Sequence, residues 1–466
     1  MKQGRMRGAA WRTVWYDSLD FGLAGDALAV CEQRGVWRLE ALLPDADPRA
    51  AVWPPGAPAP VLAEADDPAG LQQPHALRPV ISCEGQLRTL TLAAAEGTAT
   101  LSVLDGELRA VMLRRPVARV WLEGDEAACA AVALALAAET ALAVPCASLS
   151  AEAIAAVMEE RGRPRRLGAP ELPGGGGTAH AFAMIVGHLT DVILHWAPLA
   201  AARDGIEPVH QMRVALRRLR ACLSVFRRAT GGPPVEAVAG EARDLARLLG
   251  PARDWDVFCA ETGAAVIEAF TEDRAVTRLL EAATRKRRDA YAALAAFLGS
   301  AEFRCFGIRL ALLAGGEAWQ AALTPEQREM LAADTAAFAS HVLHRRLKLL
   351  LKAGEDIGTL DAPALHAVRL DGKRLRYAAE MFAPLFDRKQ TRRFIKRLTA
   401  LQERLGTLND GVVASELMAE LAGARPGAER AFAAGVVRGF VAARGGAARQ
   451  EIEAAWDKFR RVAPFW

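Results

Sequence analysis

Pairing is what the cysteines lack. Seven occur in 466 residues (Cys31, Cys83, Cys129, Cys146, Cys222, Cys259 and Cys305), and no two form a CxxC step. An odd, scattered set argues against a disulfide framework or a thiolate zinc site and suits a reducing compartment. The eight histidines include no HExxH and none beside a carboxylate at ligand spacing, so no metal and no cofactor is expected. His341 and His344, at i and i+3, come nearest to a chelating pair. Long apolar runs are also missing: the most apolar stretch, Ala127–Ala138, is too short to span a bilayer and meets Glu139. No apolar segment follows Met1-Lys2-Gln3-Gly4-Arg5, so no signal peptide is expected. These absences lead us to expect a soluble, cytoplasmic chain with no membrane partner. Its oligomeric state is left open.

What is present is a hydrophobic content of 52%, much of it alanine, which is enough for two or three domains with cores of their own. The net charge of +4 conceals an asymmetry. Residues 176–466 hold 42 Lys and Arg against 33 Asp and Glu, whereas residues 1–175 hold 17 against 22. The half suited to a polyanion is the C-terminal one.

Residues 11–122 carry short β-prone segments: Trp11–Tyr16, Ala27–Cys31, Val36–Leu43, Leu87–Leu92, Thr98–Leu104, Leu108–Leu113 and Ala118–Leu122. Turn signals at Arg34-Gly35 and Asp105-Gly106 divide them. Helices are expected over Glu126–Thr140 and Ser150–Arg161, then a Pro/Gly linker over 162–177. From Thr178 onward the pattern is helical, with breaks at Gly231–Pro234, Gly315-Gly316, Asp361–Pro363 and Gly445-Gly446. The expected fold class is multidomain, α+β and then all-α. An antiparallel β domain over 1–161 precedes a pair of antiparallel helical bundles over 178–466.

The helical part carries the same basic helix twice. His210, Arg213, Arg217, Arg218, Arg220 and Phe226 recur 156 residues later as His366, Arg369, Lys373, Arg374, Arg376 and Phe382. Leu249, Gly250 and Asp254 recur at the same offset as Leu405, Gly406 and Asp410. Spacing kept across both motifs marks a duplicated unit, with repeats of about 178–315 and 325–466 related by a pseudo-twofold. At about 100° per residue, His210, Arg213, Arg217 and Arg220 share roughly 80° of the helix. Met212, Leu216, Leu219, Leu223 and Phe226 face the other way, as a core stripe. Like charges so placed repel unless an anion sits on them. The alternative is a solvated face, which needs no second copy in register. Arg218 and Arg374 lie about 80° off the stripe and read as ion-paired. Asp254 and Asp410 read as N-caps of a following helix, with orienters of the arginines as the alternative. A third stripe, His341, His344, Arg345, Lys348 and Lys352, has only a weak counterpart, since His188 matches His344 but Val192 replaces Lys348.

The segments Val209–Arg220 and Leu365–Tyr377, followed by Leu249–Asp254 and Leu405–Asp410, resemble the paired signatures of the CHAD domain, the conserved histidine α-helical domain. The resemblance covers about 178–466. It implies two four-helix bundles and a basic surface that binds inorganic polyphosphate, with association with polyphosphate granules in bacteria. By motif position the binding residues would be His210, Arg213, Arg217, Arg220, His366, Arg369, Lys373 and Arg376, with Arg345, Lys348 and Lys396 as additions. A linear phosphate polymer offers charge and no bases, which forked guanidinium donors suit. Aromatics are sparse near the stripes, so no specific nucleic acid is expected, although a nucleic-acid scaffold remains an alternative.

Residues 11–160 resemble the CYTH domain, a β-tunnel triphosphate hydrolase fold, through Tyr16-Asp17-Ser18, Gly35-Val36-Trp37, Leu77–Val80 and Asp105-Gly106-Glu107. That family's chemistry requires carboxylates for metal and basic residues for triphosphate. Residues 1–10 hold no carboxylate, Ala29, Cys31 and Leu42 stand at basic positions, and Ser82 and Glu84 stand where arginines belong. The late acidic strand keeps only Glu123. A degenerate CYTH-like domain with no catalytic residues is expected, with a triphosphatase or polyphosphatase as the alternative.

Overall fold

The computed structural model describes residues 2–3, 5–25, 28–42, 77–94, 97–145, 147–158, 172, 176–270, 273–423, 427–444 and 448–466. The expected linker lies almost wholly outside the described residues, as does Cys146. The chain divides into two compact units. One is Met1–Arg166 with Gly316–Ala318, and the other is Leu167–Gly315 with Trp319–Trp466.

The first unit is built on one antiparallel sheet. Its strands are β1 (Lys2–Gln3), β2 (Arg7–Asp17), β3 (Leu28–Gln33), β4 (Val36–Ala41), β5 (Arg78–Ala94), β6 (Gly97–Ala110) and β7 (Leu113–Gly124). The order is β4-β3-β2-β5-β6-β7, with β1 also on β5. Among the described residues no pairing joins β4 to β7. Short α1 (Gly22–Gly25) follows β2, and the buried Asp17 carboxylate accepts from Leu23 N and Ala24 N at 3.0 Å each. Two helices, α2 (Glu126–Glu139) and α3 (Leu149–Val157), pack on the sheet. Alternation along β6 puts Ala99, against α2, and Leu104 and Leu108, against α3, on opposite faces.

Two readings of this sheet are corrected. Asp105-Gly106 is not a turn: it lies inside β6, opposite Gln86 and Gly85. A Cβ on Gly85 would lie 2.3 Å from the Asp105 carbonyl oxygen, so glycine there lets two strands approach closely. The actual turn is Val111-Met112, between the paired Ala110 and Leu113, inside the segment expected to run straight as a strand. The residues matched to tunnel positions also fail to share a face. Cys31 pairs with Trp15 and Ser82 with Val14, one residue along, so their side chains leave opposite sides of the sheet.

The second unit is helical: α4 (Thr178–Ala201), α5 (Glu207–Thr230), α6 (Pro233–Val257), α7 (Ala264–Ala269), α8 (Arg274–Leu298), α9 (Ala301–Gly315), α10 (Pro325–Ala332), α11 (Thr335–Ala353), α12 (Ala362–Phe382), α13 (Arg388–Ala422), α14 (Ala428–Arg444) and α15 (Ala448–Arg460). A π-helical segment, Phe258–Gly263, joins α6 to α7. The breaks at Gly231–Pro234, Gly315-Gly316 and Asp361–Pro363 fall at helix ends, with Pro233 and Pro363 in first turns, whereas Pro198 and Pro251 lie inside α4 and α6. Gly445-Gly446 lies outside the described residues. Helix α4 has the length and mean hydropathy of a membrane span, yet its Phe182, Ile185, Val186, Leu189 and Ile193 are buried within this unit.

Copies of the repeat meet each other directly. Helix α5 packs on α12, and α8 packs on α14. Phe226 and Phe382 lie with ring centroids 6.0 Å apart. The starts of α4 and α11 clasp reciprocally: Thr178 N donates to Ala333 O at 3.0 Å and Thr335 N to Gly176 O at 3.3 Å. A single apolar cluster takes Trp255, Phe258, Leu279 and Ala283 from one copy and Met418, Leu421, Ala433 and Val437 from the other.

A cationic face on α5 and α12

The core side of α5 follows its sequence stripe: Met212, Leu216, Leu219, Leu223 and Phe226 are all buried. That burial fixes the rotation of the helix and turns the cations outward. Helix α5 begins at Glu207 with Pro208 in its first turn, placing half-buried His210 one turn in. Helix α12 begins after Asp361, whose carboxylate accepts from Ala364 N at 2.9 Å, and carries exposed His366.

Arg213 Nη1 donates to the Gly250 carbonyl at 3.0 Å and to Asp254 Oδ1 at 2.8 Å. Asp254 therefore orients an arginine and caps nothing, since it lies inside α6. Asp410 likewise lies inside α13, so the N-cap reading is corrected for both. The Leu-Gly signature acts by position: it sets a carbonyl against the stripe of the preceding helix. In the second copy, a Cβ on Gly406 would lie 3.8 Å from Arg369 Nη2, so the same two elements meet there.

The two stripes converge around Tyr377, which is 8% exposed. Arg217 stands over its ring at 5.2 Å and Arg376 at 5.3 Å. Arg376 Nε is 3.7 Å from Glu380 Oε1, and the same carboxylate holds Arg218 at 3.5 Å. Among the described residues Arg217 makes no ion pair, and its Nε is buried without a hydrogen-bond partner. Burial lowers the pKa of Arg217, and Arg376, Arg213 and Arg218 lower it further against the opposing effect of Tyr377. Burial, with Arg369, Arg217, Arg376 and Arg213 around it, brings Lys373 down to about 8. Burial also lowers His210, helped by Arg253, Arg217 and Arg213 and opposed by Glu207. Each shift reflects a cation held in partial burial among other cations.

The structure thus brings together His210, Arg213, Arg217, Arg369, Lys373 and Arg376. Arg220 is exposed at the rim of an adjoining cleft of about 610 Å³ between α5, α6, α11 and α12. Arg345 is exposed beside Arg346. Lys348 and Lys396 are exposed on α11 and α13, and His366 on α12. No described contact joins these three to the group. Sequence reasoning missed Arg253, Tyr377, Glu380 and four cleft arginines, Arg227, Arg243, Arg346 and Arg374. A search for basic residues two turns beyond each stripe would have found Arg227.

In the first unit three carboxylates, Glu84, Glu107 and Glu152, are already matched. Glu84 and Glu107 sit opposite each other on β5 and β6, and Arg109 bridges them at 2.8 and 2.6 Å. Arg12 adds to Glu84 at 3.5 Å. Glu152 of α3 binds Arg115 at 3.0 Å and Arg119. The α3 side of the sheet holds the apolar Trp15, Ala29, Cys31, Cys83 and Leu104, and its Arg115 and Arg119 are already taken up by Glu152.

Comparison with known proteins agrees with the helical architecture. A solved CHAD domain from the plant Ricinus communis aligns with a TM-score of 0.55 and 29% identity, covering 66% of this chain and 99% of that one. PptA from Streptomyces chartreusis aligns with a TM-score of 0.45 and 19% identity. Two uncharacterized proteins of Mycobacterium tuberculosis, MT2285 of strain CDC 1551 / Oshkosh and Rv2226 of strain ATCC 25618 / H37Rv, are each 27% identical over 274 residues. Those 274 residues are 56% of this chain and 50% of either relative, so the chain spans about half the length of the curated relatives it matches. The CHAD domain model matches residues 184–419, just over half of the sequence and the whole stretch that carries both basic helices, and the chain belongs to the CHAD domain family.

Proposed function

We propose that the helical unit binds inorganic polyphosphate on the face formed by α5 and α12. The observation that carries this reading is the convergence of the two stripes: Lys373 of α12 sits among Arg213 and Arg217 of α5 and Arg369 and Arg376 of its own helix. Asp254 offsets Arg213 and Glu380 offsets Arg376, but among the described residues Arg217 and Lys373 have no ion pair, and a flexible polyanion relieves their repulsion without base-reading groups. His210, Arg213, Arg217, Arg220, His366, Arg369, Lys373 and Arg376 are the contacts proposed, with Arg345, Lys348 and Lys396 as outlying cations along its path. The reciprocal contacts of Thr178 and Thr335 support a pseudo-twofold relation between the repeats. The proposed setting is the cytoplasm, on polyphosphate granules.

The first unit is proposed as a CYTH-like domain that no longer hydrolyses triphosphate, since Glu84 and Glu107 are neutralised by Arg109, and Arg115 and Arg119 by Glu152. Steady phosphate release from tripolyphosphate with divalent metal, abolished by Glu107→Gln, would restore the enzyme reading. For the main proposal the test is competition on the full chain at fixed salt between long-chain polyphosphate and single- or double-stranded DNA. Polyphosphate is expected to win at equal charge. Equal binding of DNA would replace polyphosphate with a general polyanion scaffold.

A further inference from the structure

The two basic helices differ at one pair of equivalent positions, beside the cleft. On α12, Glu380 neutralises Arg218 and Arg376. The residue 156 positions earlier is Ser224 of α5, which has no charge to offer. By the same offset, the counterparts of Arg218 and Arg376 are Arg374 and Arg220. Ser224, Arg220 and Arg374 all line the cleft. Where one copy has a carboxylate between two arginines, the other has an opening.

Arg217, Arg227, Arg243 and Arg346 add to the basic lining, and the counterparts of the last three are Ala383, Thr399 and Thr190. The cleft is therefore specific to one side. Among the described residues, Arg220, Arg227, Arg243 and Arg346 make no ion pair. Arg374 is held by Asp371 at 2.7 Å, and Glu236 is the one carboxylate in the lining. Arg346 donates to the Arg374 backbone carbonyl at 2.6 Å, which anchors its guanidinium at the cleft wall. Burial, with Arg374 and Arg345 nearby and Asp371 opposing, brings Arg346 down to about 10. A volume of about 610 Å³ lies within the ordinary range for a small-ligand pocket.

We propose that this cleft seats the terminal phosphate of a polyphosphate chain, one end per molecule, with the chain continuing over Arg217 and Lys373. This rests on the polyphosphate reading and adds a direction to it. A terminal phosphate carries about −1.5 to −2 charge near neutral pH, more than the single charge of an internal phosphate, so it goes where unmatched guanidinium groups are densest. On the opposite side Glu380 occupies the equivalent place and excludes a second end.

The test is calorimetric titration of the full chain with tripolyphosphate, with cyclic trimetaphosphate, which has no end, and with long-chain polyphosphate. Tripolyphosphate is expected to bind one per molecule, at least tenfold tighter than trimetaphosphate. Ser224→Glu places a carboxylate one turn from Arg220 and is expected to weaken tripolyphosphate at least tenfold and long-chain polyphosphate less. Glu380→Ser is expected to leave one tripolyphosphate per molecule, since the counterparts of Arg227, Arg243 and Arg346 on that side carry no charge. If Ser224→Glu does not fold, Arg227→Gln and Arg243→Gln, both at exposed residues, are read in its place. Equal binding of the linear and cyclic trimers would overturn the chain-end assignment, as would a folded Ser224→Glu with unchanged tripolyphosphate affinity. Long-chain binding with no tripolyphosphate binding removes the end site and leaves the proposed function standing. Loss of all three ligands by the unaltered protein removes both.

Discussion

The sheet unit and the helical unit both display arginines, and they treat them in opposite ways. Arg109 is shared between Glu84 and Glu107, and its pKa is raised, first by the hydrogen bond to Glu107. Lys373 and Arg217 sit half-buried among other cations, and theirs are lowered. A matched network is complete without a ligand. An unmatched one holds repulsion that a bound anion would remove, which is why the α5/α12 face and not the sheet is the one proposed to bind.

The sharpest way to break this contrast is to reverse charge at its centre. Arg217→Glu with Lys373→Glu should reduce polyphosphate affinity more than a hundredfold while leaving the far-ultraviolet helical signal intact; a folded double variant that still binds would refute the α5/α12 face. Salt comes next: affinity should fall on the order of a hundredfold between about 50 and 200 mM, as counterion release requires, and a flat titration would argue for a few specific contacts instead. The pH effect is smaller. In the empty protein Lys373 sits at about 8, and a bound polyanion restores it toward the ordinary lysine value. Binding then takes up a proton above pH 8, so affinity should fall as pH rises through 8, by about tenfold at pH 9. Lys373→Arg should flatten that limb. On the acid side His210 is held neutral by burial and its cationic neighbours, so binding should tighten modestly below about pH 6.5. The smallest effect belongs to the matched network: Arg109→Ala should change the unfolding midpoint little, because the pair is exposed, and should leave polyphosphate affinity alone.

Much of the face could be read from the chain because it is periodic and repeated. Burial of Met212 through Phe226 fixed which side of α5 faces out, and the second copy removed the alternative of a chance stripe. The cleft could not be read this way. Arg227, Arg243 and Arg346 have no basic counterparts, so a search by repetition passes over them, and Arg374 lies off the stripe by angle. Their convergence depends on how four helices pack, which no local pattern encodes. Asp254 was read as a cap because Asp favours helix starts, but Pro251 does not end α6, which runs on to Val257. Asp105-Gly106 read as a turn for the same reason: a local preference outvoted by pairing along the whole of β5 and β6.

Neither repeat closes a core of its own. Leu279 and Ala283 share one apolar cluster with Met418 and Val437, and Phe226 packs on Phe338 as well as Phe382. A fragment ending at Gly315 would leave the flanks of α6 and α8 uncovered and should self-associate or precipitate. The two halves stand or fall as one cooperative body. An altered cation on either basic helix can therefore be interpreted only in the undivided protein.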